Sequence, residues 1–484
     1  MGTKTGVLGR ALVAGGLACA ALAQAAPPQA LPLEVQRALH KAGVPADAMV
    51  VQVLDTHGAR RVLQWRDDRP VNPASLTKLL TTTAALERLG PAYTWTTPVW
   101  LAGTVNGSGV LEGSLHIKGS GDPKLVIERV WLLLRQVQQR GVREIRGDIV
   151  LDNSAFVVPE TSAAEFDGEP LRPYNVRPAA LLFNFRSSFY TFVPDAAAGL
   201  VRVSADPPLA GQVVDRTVPL SPTGPCEDWR AALKASFDPG RTRFAGSYAL
   251  ACGEQSWPVA DPQPTSYEAR LIEALWREMG GTLSGSVREG LAPETKPSFE
   301  LRSPPLAELI RDVNKYSNNV MAQQLFLTLA REANPRVPAT PESARDTLAR
   351  WLIERTGNLA DEVVLDNGSG LSRHTRISAA RLAKVLLQAG DGPVMSELMS
   401  SLPVSGLDGT MRRSSATPGR AHLKTGSLRD VAGVAGYVLS NSGRRYVVVA
   451  IVNHPQAHAA RPALDALVQW TLRDAPSHRV SGEP

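Results

Sequence analysis

Residues 48–54 form an almost unbroken apolar run rich in valine, residues 55–58 supply turn formers, and residues 61–65 return to strand-like character, which together predict a β-hairpin. From 75 to 89 the apolar positions Leu76, Leu79, Leu80 and Leu86 recur at roughly helical spacing and stop at Gly90-Pro91. This predicts a first helix that begins at Ser75. Between about 95 and 300 the pattern breaks into short apolar runs, 110–117 and 148–151 among them, separated by Gly, Pro and Asp, as in a β-rich insertion. Helical spacing returns over 306–313, 319–331, 341–356 and 379–388, followed by strand patterns at 421–423, 431–439 and 446–452. Asn441-Ser442-Gly443 is the turn between the last two strands, and residues 462–472 suit a closing helix. A hairpin from the start and strands from the finish are expected to share one sheet, with the middle of the chain looped out.

The 484 residues are enough for two or three domains. With 43% hydrophobic and 20% charged residues, the composition is that of a globular protein with a sizeable core. The net charge of +6 arises from 52 basic and 46 acidic residues with no dense Lys/Arg block, so nucleic acid is not an expected partner.

Residues 1–26 carry Lys4 and Arg10 ahead of the apolar run 11–23, which ends in small residues at A-x-A spacing. This predicts a cleaved secretory signal, because the run is shorter than the roughly 20 residues of a spanning helix. The expected mature protein has no membrane span and is exported, the periplasm being its expected compartment. Cys19 stands in a poor lipidation context, lacking a large aliphatic residue three places before it. Cys226 and Cys252 survive processing into an oxidising compartment, where an even pair is expected to form a disulfide of structural role.

Three short motifs carry candidate chemistry. Ser75-Leu76-Thr77-Lys78 sets a hydroxyl and an amine three residues apart, on one face of a helix. A serine needs a base to become nucleophilic, and a lysine serves once burial or a nearby cation lowers its pKa toward ~7–8. Ser317-Asn318-Asn319 offers a hydroxyl and an amide from one short turn, able to pass a proton and hold an amide carbonyl. Lys424-Thr425-Gly426-Ser427 offers a cation, two hydroxyls and, at Gly426, a backbone to which substrate can come close. Each has a plain alternative: an N-cap serine beside a surface lysine, a helix N-cap and a polar edge strand. Lys4-Thr5-Gly6 in the leader shows that the last tripeptide also arises by coincidence.

In this order, S-x-x-K, S-x-N and K-T-G resemble the motif set of penicillin-binding proteins and serine β-lactamases. The long first interval resembles the low-molecular-mass class C group, the D-Ala-D-Ala carboxypeptidases with a large insertion after the serine. Residues 119–123 (Gly-Ser-Gly-Asp-Pro), 366–373 and 402–410 are also similar to that family, although no role follows for them beyond Gly-rich turns. The resemblance implies an α/β (α+β) transpeptidase domain, an antiparallel sheet flanked by helices, built from 27–95 and 301–478 around inserted β-rich domains at 96–300. It implies Ser75 as nucleophile, Lys78 as base, Ser317 and Asn319 on the proton path, and Lys424, Thr425, Gly426 and Ser427 around the substrate carboxylate and oxyanion. Arg373 is a candidate contact for an acidic side chain of the substrate. Peptidoglycan stem peptides would be the substrates, with endopeptidase action on crosslinks a possible companion, and β-lactams would acylate Ser75.

No H-E-x-x-H, C-x-x-C or G-x-S-x-G is present, so neither a metal nor any other cofactor is expected. His422, two residues before Lys424, reads as a packing histidine. Two rivals remain at this point. One is a β-lactamase on the same fold, for which Tyr316-Ser317-Asn318 could imitate a Y-x-N motif; the other is a silent peptidoglycan-binding protein.

Overall fold

A computed structural model describes residues 1–3, 30–358, 363–414 and 416–474. Apart from its first three residues, the expected leader with Cys19 lies outside the described residues. The valine-rich hairpin pairs as expected, Met49–Asp55 against Arg60–Trp65, and joins the late strands in one antiparallel sheet. Its order is Ala421–Leu428, Val431–Leu439, Arg445–Asn453, Met49–Asp55, Arg60–Trp65. Every residue of Met49–Asp55 and all but the last of Val431–Leu439 are buried. Both faces are covered, so these strands lose the alternation of a half-exposed sheet.

Side chains of period two divide between two cores. Val447, Val449 and Ile451 pack with the helices Thr77–Leu89, Leu306–Lys315, Asn319–Ala333, Pro341–Thr356 and Ala379–Gly390 on one face. Val448, Ala450 and Val452 pack on the other with Leu33–Lys41 and the closing helix Arg461–Leu472. Leu33–Lys41 was not foreseen, for the helix after Ser75 was expected to be first. It buries only Val35 and Leu39, too thin an apolar stripe to announce itself.

The insertion leaves and re-enters through neighbouring strands, because Thr96–Val105 pairs antiparallel with Phe299–Arg302. Within it lie a seven-stranded, a five-stranded and a three-stranded sheet. It is β-rich but also carries helices Ile127–Gln139 and Tyr267–Glu278, which sequence reading passed over. Val130, Leu133, Leu134 and Val137 do keep helical period and pack with Leu271, Ile272, Leu275 and Trp276, although abundant Gly, Pro and Asp on either side mask the signal. Cys226 and Cys252 are bonded to each other, tying the outer β-unit whose core holds Tyr190, Phe192, Phe244 and Tyr248. Lys124 of the insertion reaches Asp312 of the helix Leu306–Lys315 at 2.5 Å, crossing the junction between insertion and helical layer.

Candidate active site

Ser75 sits in a 3-10 turn, Ala74–Leu76, and the α-helix proper begins at Thr77, two residues later than expected. Ala74 has φ 48°, a left-handed conformation that a non-glycine residue holds only under constraint. The constraint is visible. The Ala74 N–H donates to Asn72 Oδ1 at 2.8 Å and Thr77 Oγ1 donates to the Ala74 carbonyl at 2.9 Å. Asn72 donates through Nδ2 to the Ser372 carbonyl at 2.9 Å and exchanges two further bonds with Asn453, of 2.8 and 2.9 Å. Gly370, at φ +74°, lies so close that a Cβ would stand 1.9 Å from the Ala74 carbonyl oxygen. Only glycine fits there.

Lys78 is fully buried one helical turn beyond the serine. Its Nζ lies 3.0 Å from Ser75 Oγ, donates to Asn319 Oδ1 at 2.6 Å and donates to the Ser369 carbonyl at 2.7 Å. Among the described residues no carboxylate pairs with it. Burial, and after that the charge of Lys424, hold its pKa well below the ordinary lysine value.

Asn318 caps the helix Asn319–Ala333 by accepting from the Met321 N–H at 3.0 Å. The capping alternative therefore belongs to Asn318, which frees Ser317 and Asn319 to face the cluster. Ser317 sits at φ 57°, and its Oγ accepts from Lys424 Nζ at 2.9 Å. The Asn319 amide also donates to the Tyr174 carbonyl at 3.4 Å, so the insertion reaches the cluster.

Lys424 is likewise fully buried on the edge strand Ala421–Leu428, with its second bond to the Thr425 carbonyl at 3.0 Å. Burial lowers its pKa to about 7. The Leu423 N–H points off the sheet edge to the Pro403 carbonyl. By period two, the N–H groups of Thr425 and Ser427 point off the same edge. Gly426 has a structural use beside the one expected. It faces the serine turn, where a Cβ would stand 2.7 Å from the Pro73 carbonyl oxygen, so it lets strand and turn approach each other. His422 packs as read, its ring bonded to the Met399 carbonyl and its pKa lowered by burial.

Arg373 lies apart from this cluster, in the wall of a cavity of about 450 Å³ between the insertion and the helical layer. Its guanidinium pairs with Asp430 at 3.0 Å and covers the Phe166 ring at 4.7 Å. Five of the expected residues thus fall into two bonded groups, Ser75 with Lys78 and Asn319, and Ser317 with Lys424, which meet through the short turn from Ser317 to Asn319 and the charge of Lys424 acting on Lys78. Sequence reading missed their supports, Asn72, Asn453 and Ser369. Ser369 was within reach, since residues 366–373 had been singled out, but Asn72 and Asn453 are 381 positions apart and leave no local trace.

A mixed α/β protein with a lysine-bonded serine beside an edge strand defines the class, a serine hydrolase of the transpeptidase fold. The chain belongs to the D-Ala-D-Ala carboxypeptidase 3 (S13) family, which it matches over residues 32–474. It is a serine-type D-Ala-D-Ala carboxypeptidase, and this decides against the two rivals above. It is 26% identical over 392 residues to the D-alanyl-D-alanine carboxypeptidase DacB of Haemophilus influenzae, covering 78% of this chain and 80% of that protein. It is also 26% identical over 455 residues to the D-alanyl-D-alanine carboxypeptidase of Actinomadura sp. (strain R39), covering 89% and 82%. The crystal structure of penicillin binding protein 4 from Haemophilus influenzae shares the fold, with a TM-score of 0.73 at 22% identity over 90% of this chain and 100% of that one.

Proposed function

We propose that Ser75 is the nucleophile and Lys78 its base. The observation that carries this is the three-way bonding of Lys78 Nζ. Asn319 Oδ1 and the Ser369 carbonyl can only accept, so they engage two amine hydrogens and, in the neutral form favoured by burial, leave the lone pair facing Ser75 Oγ. Lys78 takes the Oγ proton as Oγ bonds to the carbonyl carbon of the penultimate D-Ala. The C–N bond to the terminal D-Ala then breaks, its nitrogen receiving a proton by way of Ser317, and water cleaves the ester to release Ser75. The outward N–H of Ser427 and that of Ser75 would hold the oxyanion, each such donor worth about 3 kcal/mol in the transition state. Lys424 and Thr425 would bind the terminal carboxylate.

The substrates in this reading are peptidoglycan stem peptides, with crosslink cleavage as a companion activity, and Arg373 would meet an acidic group of the peptide from its cavity wall. β-Lactams would acylate the same serine; a structure of the Haemophilus influenzae relative is a complex with a β-lactam. We place the protein outside the cytoplasm, in the periplasm, delivered by the leader at 1–26; no helix among the described residues is long and apolar enough to cross a membrane. The division into 27–95 with 301–478 around 96–300 is supported by the pairing of the strands at the two ends of the insertion. Mass spectrometry after treatment with labelled penicillin tests the assignment: the adduct should fall on the peptide containing Ser75 and vanish in Ser75→Ala. Equal labelling of that variant sinks it.

A further inference from the structure

Residues 402–410 have so far been given no part in the chemistry, yet they touch both halves of the cluster. Their first part lies along the edge strand, with the Ser405 N–H donating to the Ala421 carbonyl and the Leu423 N–H donating to Pro403, each at 2.9 Å. Their last part turns back over the Ser317 loop. Asp408 accepts from the Val404 N–H at 2.8 Å through one oxygen and from Lys315 Nζ at 2.6 Å through the other. Lys315, two residues before Ser317, is buried and also donates to the Leu402 carbonyl at 2.9 Å. Gly409, at φ +54°, is pressed so close that a Cβ would stand 2.5 Å from the Lys315 carbonyl oxygen. One residue on, Thr410 Oγ1 accepts from Thr425 Oγ1 at 2.7 Å.

We infer that residues 402–410 are a positioning brace for the reaction: Asp408, acting through Lys315, fixes the left-handed Ser317, while Thr410 fixes the hydroxyl of Thr425. This rests on the assignment of Ser317 and Thr425 made above. The reasoning is geometric. Ser317 has an unfavoured backbone conformation that its neighbours must enforce, and Lys315 is anchored on one side only by this segment. A strained loop tied through a buried lysine to a half-exposed aspartate keeps its hydroxyl within reach of Lys424, and a displacement of about 1 Å in such a group slows turnover about 100-fold. Thr410 holds the Thr425 oxygen in place at 2.7 Å before a carboxylate arrives; once it does, Thr425 turns its proton to the carboxylate and accepts from the Thr410 hydroxyl instead.

A double-mutant cycle separates positioning from plain stabilisation. Asp408→Asn should lower kcat for D-Ala release about tenfold with KM within about twofold, and should change kcat by less than about twofold when Ser317→Ala is already present. Effects that multiply across the cycle, or a kcat left within about twofold in the native background, overturn the inference. Should Asp408→Asn fail to fold, the exposed hydroxyl of Thr410 provides the same test: Thr410→Val should raise KM about threefold with an unchanged melting temperature, and add nothing to Thr425→Val. Multiplicative effects at that pair overturn it as well. Failure of the underlying assignment shows separately, as a kcat for Ser317→Ala and a KM for Thr425→Val that both stay within about twofold of the native protein.

Discussion

The strands Val431–Leu439 and Ser187–Asp195 are both nine residues long, but they live differently. The first is buried along all but its last position and lies between two helical layers, next to the strand that carries Lys424. The second exposes Phe189 and Val193 on one face and belongs to a small aromatic core closed by a disulfide. Double burial fixes a strand from both sides and suits it to hold reacting groups within a fraction of an ångström. A one-sided sheet with a small core needs a covalent tie to be stable, and it carries no member of the cluster.

Substitution in the central region should therefore change chemistry, and substitution in the outer unit should change stability. The largest effect is expected from Lys78→Met, which removes the base and should lower kcat roughly 1,000-fold. Its melting temperature should change little, because relief of a desolvated amine offsets the two acceptors, Asn319 Oδ1 and the Ser369 carbonyl, left unpaired; a loss of fold in that variant would mean that Lys78 is chiefly structural. Gly370→Ala drives a methyl into the Ala74 carbonyl and should slow penicillin acylation about 100-fold by displacing the serine turn. In contrast, Cys226→Ser with Cys252→Ser should cost about 3 kcal/mol in denaturant melts while kcat stays within about twofold. A large loss of turnover there would erase the distinction between the two regions.

The smallest effect lies at the junction. Asp122 is buried, with one carboxylate oxygen lacking any hydrogen-bond partner, and burial raises its pKa from 3.8 to about 6. A raised acid pKa means the unfolded chain releases its proton first, so the penalty is absent below about pH 4 and complete above about pH 6. Asp122→Asn keeps the acceptor for the Lys124 N–H and should stabilise the protein by about 1–2 kcal/mol at pH 7.5, with the gain vanishing at pH 4. A gain that does not depend on pH would refute the electrostatic cause.

Much of the site was legible because each motif is local chemistry on one element. Ser75 and Lys78 are three apart on a helix start, Ser317 and Asn319 flank a cap, and Lys424 sits in a strand pattern. What escaped is whatever depends on meetings between distant segments. The pair Asn72 and Asn453 has no period or motif to reveal it, and the use of Gly426 could not be told from sequence because two close approaches, by a substrate or by the Pro73 backbone, ask for the same residue. The helix Ile127–Gln139 had its period in plain view, but the punctuation around it carried more weight.

The edge strand Ala421–Leu428 is screened only along its first residues, by the bridge from Val404 to His422, and beyond it the N–H groups of Thr425 and Ser427 have no strand beside them among the described residues. The molecule thus carries a short length of incomplete sheet. An extended peptide can finish it by main-chain pairing, which supplies affinity without regard to side chains and leaves discrimination to the groups around the gap. A gap this short also offers a second copy of the chain little edge for strand-to-strand pairing.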